Sequence, residues 1–143
     1  MKIFLGSDHR GFELKSEIAQ FLSAIHVEVI DCGPYDFDAE DDFNDAAKAV
    51  AKGVSADKDS FGILTCGSAQ GVAMQANRFK KIRAAICHSA DEARETRLHN
   101  DANILCLAAD SHPNYATIIE AFLSTPPLTE DKYLRRIKKL DEE

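Results

Sequence analysis

A chain of 143 residues, 45% hydrophobic and 29% charged, has apolar material for one core and fits a single domain spanning residues 1–143. Its 17 basic and 24 acidic residues leave a formal net charge of −7. That balance argues against a nucleic-acid partner, which a basic face would serve. No run approaches the ~20 consecutive apolar residues of a membrane-spanning helix, and Met1–Asp8 holds too short an apolar run for a signal peptide. The expected setting is cytoplasmic, with no membrane partner.

In chain order, Ile3–Gly6 reads as a buried strand, and Leu14, Ile18, Phe21, Leu22 and Ile25 then fall at helical spacing. Val27–Asp31 is a second strand, closed by the turn signal Cys32-Gly33-Pro34. Tyr35 to Asp42 is acidic and irregular. Phe43, Ala46, Ala47, Val50, Ala51 and Val54 mark a second amphipathic helix. Phe61–Thr65 is a third strand, followed by glycines and a helix that runs through Asn77. Arg83–Cys87 is a fourth strand, Asp91–Leu98 a helix and Asn103–Leu107 a fifth strand; Tyr115, Ile118, Ile119 and Phe122 stripe another helix. After Pro126-Pro127, Thr129 reads as the N-cap of a last helix, with Glu130 and Asp131 in its first turn.

Short apolar strands alternating with helices predict an α/β fold: a three-layer αβα sandwich around a five-stranded parallel Rossmann- or flavodoxin-like sheet. In such sheets ligands bind beyond the carboxyl ends of the strands, where strand order reverses. Cys66-Gly67-Ser68-Ala69-Gln70-Gly71 lies at such an end and opens a helix. Its glycines allow close backbone approach, and the free N–H groups of a helix start suit an anion. The same field is expected to favour a thiolate at Cys66, and Ser68 offers a hydroxyl. A tight turn around a buried cysteine is the plainer alternative. In Ser7-Asp8-His9-Arg10-Gly11, Ser7 or Asp8 reads first as a helix cap, and His9 beside Asp8 as a group that orients or titrates at a site. His99, in Arg97-Leu98-His99-Asn100-Asp101-Ala102-Asn103, is evenly a helix-end cation or a catalyst. His26, His88 and His112 read as surface or structural.

Cys32, Cys66, Cys87 and Cys106 are widely spaced, with no C-x-x-C pair, and read as buried thiols of which at most one or two react. No His/Cys/Asp/Glu set has metal-ligand spacing, so no metal is expected. The Gly67–Gly71 loop matches neither the Walker nor the dinucleotide pattern. The segment Lys132 to Leu140 is basic in an acidic chain. Tyr133, Ile137 and Leu140 give it an apolar stripe that suits packing on a partner subunit.

Gly6-Ser7-Asp8-His9-Arg10-Gly11-Phe12, Cys66 to Gly71, Ala76-Asn77, Ile82-Arg83-Ala84-Ala85 and Arg97 to Asn103, taken in register, resemble the ribose-5-phosphate isomerase B family, whose galactose-6-phosphate isomerase relatives share its fold. The resemblance implies an aldose–ketose isomerase without metal or other cofactor, acting on a small sugar phosphate, most directly ribose 5-phosphate and ribulose 5-phosphate. It implies Cys66 as the base, Gly67–Gly71 N–H groups and Ser68 as enediolate donors, His99 in ring opening, Asp8 at the sugar hydroxyls and Asn100 on the intermediate. It also implies His9, Lys132 and Arg136 at the phosphate, and a homodimer or homotetramer with sites at the subunit boundary.

The sequence departs from the family pattern at Lys132 and Tyr133, where an Arg-His pair is usual, and at Asp110, where an arginine is usual. It also has Ala69 for a glycine and Phe43 for a tyrosine. These departures keep two alternatives open: an isomerase of a different phosphosugar or an unphosphorylated sugar, and a non-catalytic sugar-phosphate-binding subunit. A flavodoxin-like cofactor binder is a further alternative on fold alone.

Overall fold

In the computed structural model, which describes residues 1–142, strands and helices alternate along the chain. β1 (Lys2–Ser7) leads through a 3-10 turn (His9–Gly11) into α1 (Phe12–Ala24), followed by β2 (Glu28–Asp31), α2 (Phe43–Ala56), β3 (Ser60–Cys66), α3 (Gln70–Ala76) and β4 (Ala84–Ile86). α4 (Ala90–Asn100), β5 (Ile104–Ala108), α5 (Tyr115–Ser124) and α6 (Asp131–Glu142) complete it.

All five strands are parallel, in the order β2-β1-β3-β5-β4. The last two strands exchange places relative to the flavodoxin order. Side chains explain the exchange. β5, Ile-Leu-Cys-Leu-Ala, is buried along its whole length, whereas the three residues of β4 are only half-buried. The more apolar strand therefore takes the interior position and the short one the edge. The edge is partly closed by Asn77, whose amide donates to Ala84 O at 2.9 Å and accepts from Ala84 N–H at 2.7 Å.

The alternation along each strand builds two cores. Ile3, Leu5, Ile63, Leu105 and Leu107 face α1, α4 and α5, where Leu14, Ile18, Leu22, Ala93, Ile119 and Phe122 meet them. Leu64, Cys66, Ile104, Cys106 and Ala108 face α2 and α3, against Ala47, Val50, Ala51, Val54, Val72 and Ala76. Each fully buried Leu or Ile contributes roughly 1.5–3 kcal/mol of transfer free energy. This is the expected three-layer sandwich.

Element ends differ from expectation by one residue at several places. Val27, Arg83, Cys87 and Asn103 lie outside the strands. Arg83 leaves the ladder because its N–H bonds the Asn103 side chain at 2.8 Å. Thr129 is not the N-cap of the last helix. That helix begins at Asp131, and the Tyr133 and Leu134 N–H groups bond to Glu130 O, which makes Glu130 the flanking residue. No helix among the described residues is long and apolar enough to cross a membrane.

β1 leads away to β2 on one side while β3 returns on the other, so strand order reverses between β1 and β3. Their carboxyl ends are pinned together. Asp8 N–H bonds Thr65 O at 3.3 Å, Thr65 Oγ1 donates to Gly11 O at 2.8 Å, and a Cβ on Gly11 would lie 2.4 Å from the Thr65 carbonyl. Gly11→Ala is therefore expected to destabilise the protein by about 1–3 kcal/mol through overpacking against backbone, read as a lowered thermal midpoint; an unchanged midpoint would show that the two loops separate freely.

Candidate active site

The site is built where β1 and β3 end. Cys66 is the last residue of β3 and is only 6% exposed. The chain then turns through Gly67, Ser68 and Ala69 into α3. Ala69 adopts a left-handed conformation (φ 64°), a strained choice for a residue with a Cβ. Its N–H points back at the Cys66 sulfur, 3.2 Å away. Ser68 is exposed, and its Oγ accepts from Gln70 N–H at 3.3 Å.

The thiol does not behave as the helix-start argument predicts. Burial pushes the Cys66 pKa up and the nearby Asp8 carboxylate adds to the rise; N–H groups of Ala69, Val72 and Ser68 pull it down without prevailing. α3 has only seven residues, so it offers local N–H groups rather than a long aligned dipole. Cys66 therefore rests as a thiol and becomes an unusually basic thiolate once deprotonated.

Asp8 is buried at the end of β1 and caps the 3-10 turn, its Oδ1 accepting from Arg10 N–H at 2.9 Å and Gly11 N–H at 3.0 Å. The other carboxylate oxygen carries no hydrogen bond among the described residues. Beside it, His9 is tied to Asp41 rather than to Asp8: its Nδ1 lies 2.8 Å from Asp41 Oδ1. Arg10 packs so tightly over Gly67 that a Cβ there would lie 2.2 Å from its guanidinium carbon, and it is ion-paired with Asp110. The Asp110 N–H in turn bonds Gly67 O at 3.0 Å. Phe43 stacks over Gly71, close enough that a Cβ there would lie 2.9 Å from its ring.

His99 and Asn100 lie elsewhere. α4 starts beyond the carboxyl end of β4 and ends before β5 begins, so its last turn sits at the amino edge of the sheet. Cys66 is level with Ala108, at the far end of β5, about 13 Å further along the strand direction. Within one chain, His99 and the thiol therefore do not meet. His99 and Asn100 are exposed and line one end of a groove of about 440 Å³ between α4 and the β4 edge.

A second cluster forms around His99. The Tyr133 ring stacks on it with centroids 5.3 Å apart and planes 12° off parallel, and the Lys132 ammonium lies 4.9 Å from the Tyr133 centroid. Arg136 follows one turn of α6 after Lys132. The rest of the Arg97–Asn103 motif is scaffolding. Asp101, in a left-handed conformation, is clamped by Arg97 at 2.6 Å and Arg83 at 3.2 Å. Arg83 also holds Asp141 of α6 at 2.8 Å, joining the His99 turn to the helix that stacks on it. Asn103 accepts from Arg83 N–H and donates to Lys81 O.

The sequence reading missed two contributors, Asp41 and Arg10. Asp41 sits in the irregular acidic segment, and only its contact across 32 positions reveals it. Arg10 lay inside a recognised motif without a role. Among the described residues, no three His, Cys, Asp or Glu side chains gather as a metal-holding group.

A profile described as Ribose/Galactose Isomerase matches residues 3–140. The chain belongs to the ribose/galactose isomerase family. Ribose-5-phosphate isomerase B of Mycolicibacterium paratuberculosis is 37% identical, over 99% of this chain and 91% of that protein. Among solved structures, a ribose 5-phosphate isomerase from Thermotoga maritima superposes with a TM-score of 0.91 at 40% identity, covering 99% of this chain and 98% of that one. Ribose-5-phosphate isomerase B of Mycoplasma genitalium, solved with bound ribulose-5-phosphate, gives a TM-score of 0.90 at 38% identity, covering 97% and 93%.

The electrostatics of the family's glycine loop are testable in this chain. Asp8→Asn keeps a capping oxygen but removes the charge that helps hold the Cys66 pKa up. With the other three cysteines replaced, alkylation of Cys66 is expected to begin only above the pH range of an ordinary thiol, and to begin at lower pH in the Asp8→Asn variant. An unshifted profile would remove Asp8 from the thiol's environment.

Proposed function

We propose that this single-domain protein is an aldose–ketose isomerase that interconverts ribose 5-phosphate and ribulose 5-phosphate. The observation that carries the reading is a buried thiol facing backbone N–H groups at the strand reversal, in a member of the ribose/galactose isomerase family. Relatives bearing the name ribose-5-phosphate isomerase B, one of them solved with ribulose-5-phosphate, support the substrate.

The chemistry follows from the groups present. In the open-chain aldose, the Cys66 thiolate removes the proton from C2. The C2–H electron pair becomes the C1–C2 double bond, and the carbonyl electrons move onto O1. N–H groups of the Gly67–Gly71 loop and the Ser68 hydroxyl stabilise the resulting oxyanion. Transfer of the O2 proton to O1, with the O2 electrons then closing the C2–O2 carbonyl as the C1–C2 pair takes the proton back from the thiol at C1, leaves the ketose. The high thiol pKa costs thiolate population at neutral pH and makes the thiolate a stronger base, the balance expected for abstraction beside a carbonyl. The free oxygen of Asp8 would accept from a sugar hydroxyl. His99 would donate a proton in ring opening and Asn100 would hold the intermediate. His9, Lys132 and Arg136 would hold the phosphate.

These groups form one site only if a second copy brings its His99 end to the Cys66 end of the first, in a dimer or a dimer-built tetramer. The exposed apolar stripe of α6, with Leu134 and Leu140 at least half exposed, supports such an assembly. A cytoplasmic setting accords with four free thiols. A second reading, isomerisation of another phosphosugar or of an unphosphorylated sugar, is favoured by Asp110, which neutralises Arg10 beside the glycine loop.

Cys66→Ala is expected to lower turnover of ribose 5-phosphate at least about a thousandfold with the fold retained, as loss of a proton-transferring group does. Activity surviving it would overturn the assigned base. Mixing inactive Cys66→Ala and His99→Ala subunits should restore about a quarter of wild-type activity if one intact site forms per mixed dimer; no recovery would place His99 outside the shared site. A substrate panel decides the second reading: equal turnover of phosphorylated and unphosphorylated sugars would support it.

A further inference from the structure

The way His9 is held points to a residue that prepares the site for its anionic substrate; the inference rests on the sugar-phosphate reading above. A single oxygen, Asp41 Oδ1, accepts the His9 backbone N–H at 2.9 Å and lies 2.8 Å from the ring Nδ1. With backbone and ring tied to the same atom, the ring cannot turn without breaking one of two short contacts. Nδ1 is committed, and among the described residues no protein atom bonds Nε2. The pair is part-buried, with side chains 30% and 17% exposed.

The segment that supplies Asp41 is itself braced. Asp41 N–H bonds Asp38 O at 3.2 Å, and Glu40 N–H bonds the Asp38 carboxylate at 2.9 Å. Phe37 packs edge-on against Phe12 of α1, with centroids 5.9 Å apart. A carboxylate so anchored is a fixed support rather than a passing surface contact.

We propose that Asp41 is a positioning residue for substrate binding: it fixes the His9 ring so that Nε2 donates to the phosphate of the bound sugar. The charged groups around the ring agree with this role. The hydrogen bond from Asp41 raises the His9 pKa most; partial burial opposes it, the charges of Asp8 and Asp41 add to the rise, and Arg10 lowers it. Arg10 is paired with Asp110, which tempers its repulsion. A raised histidine pKa means that the cation, and with it the attraction for phosphate, persists as pH rises and is lost only on passing the folded-state value.

The test uses Asp41→Asn in the full chain, with kcat and KM for ribose 5-phosphate measured across pH and the His9 ring followed by NMR, assigned with His9→Asn. We expect KM to rise roughly tenfold near neutral pH with kcat changed less than about threefold, the scale of one charge-assisted hydrogen bond. The rise in KM should start at lower pH, the His9 titration should move to lower pH, and Asp41→Glu should recover part of the loss. In a His9→Asn background, Asp41→Asn should change KM no further. An unchanged KM, an equal effect without His9, or an unmoved His9 titration would each overturn the assignment. Should the wild type not turn over ribose 5-phosphate, the functional reading falls on its own. Inorganic phosphate then decides this inference. Perturbation of His9 about tenfold weaker in Asp41→Asn than in wild type would support it, and equal or absent perturbation would overturn it.

Discussion

At the carboxyl edge of the sheet, Gly11 lies against the Thr65 carbonyl with no room for a side chain, and Thr65 Oγ1 donates to Gly11 O. This contact locks the turn after β1 onto the end of β3. Asp8, His9 and Arg10 belong to that turn; Cys66 is the next residue after Thr65. The strand reversal brings the two loops near each other, and the close approach at Gly11 with the Asp8 and Thr65 hydrogen bonds fixes their relative position. Arg10 over Gly67 and Asp110 on Gly67 O then secure the glycine loop from its other side.

The Cys66 environment shows which of two opposed effects wins. N–H groups around the sulfur favour the thiolate, whereas enclosure in the α2–α3 core and the Asp8 charge oppose it, and the opposing pair prevails. The outcome suits a base more than a nucleophile. A thiol kept neutral at rest is protected from electrophiles and oxidants. A thiolate formed there has a raised proton affinity, which the proposed abstraction from carbon uses.

Periodicity carried most of the fold. The continuous apolar runs of β1, β3 and β5 and the apolar stripes of α1, α2 and α5 can be read from the sequence, because burial of the sheet on both faces imposes them. Strand order could not be read that way: β5 displaces β4 from the interior through the difference between Ile-Leu-Cys-Leu-Ala and Ala-Ala-Ile, a comparison between segments. At the site, Cys66 and Ser68 were legible from the glycine loop and Asp8 from its capping position. Asp41 was not, because an aspartate in an acidic loop has no local mark that distinguishes it from its neighbours. The direction of the thiol's pKa is not legible in the loop, because burial is a property of the packed core, not of the loop sequence.

The Arg97–Asn103 motif illustrates why a string of residues in register is stronger evidence than any one role within it. Arg97 and Arg83 are both spent on the Asp101 carboxylate, and Asn103 on the backbone of Arg83 and Lys81. Only His99 and Asn100 project outward. Four residues thus hold two in place, at the opposite end of the sheet from the thiol. The imidazole they support is exposed and stacked on Tyr133, with the Lys132 ammonium over that ring. In the proposed reading the two ends of one chain carry complementary halves of an isomerase. The half assigned to proton abstraction is buried. The half that would open the ring and hold the phosphate stands on the surface, where a second copy can receive it.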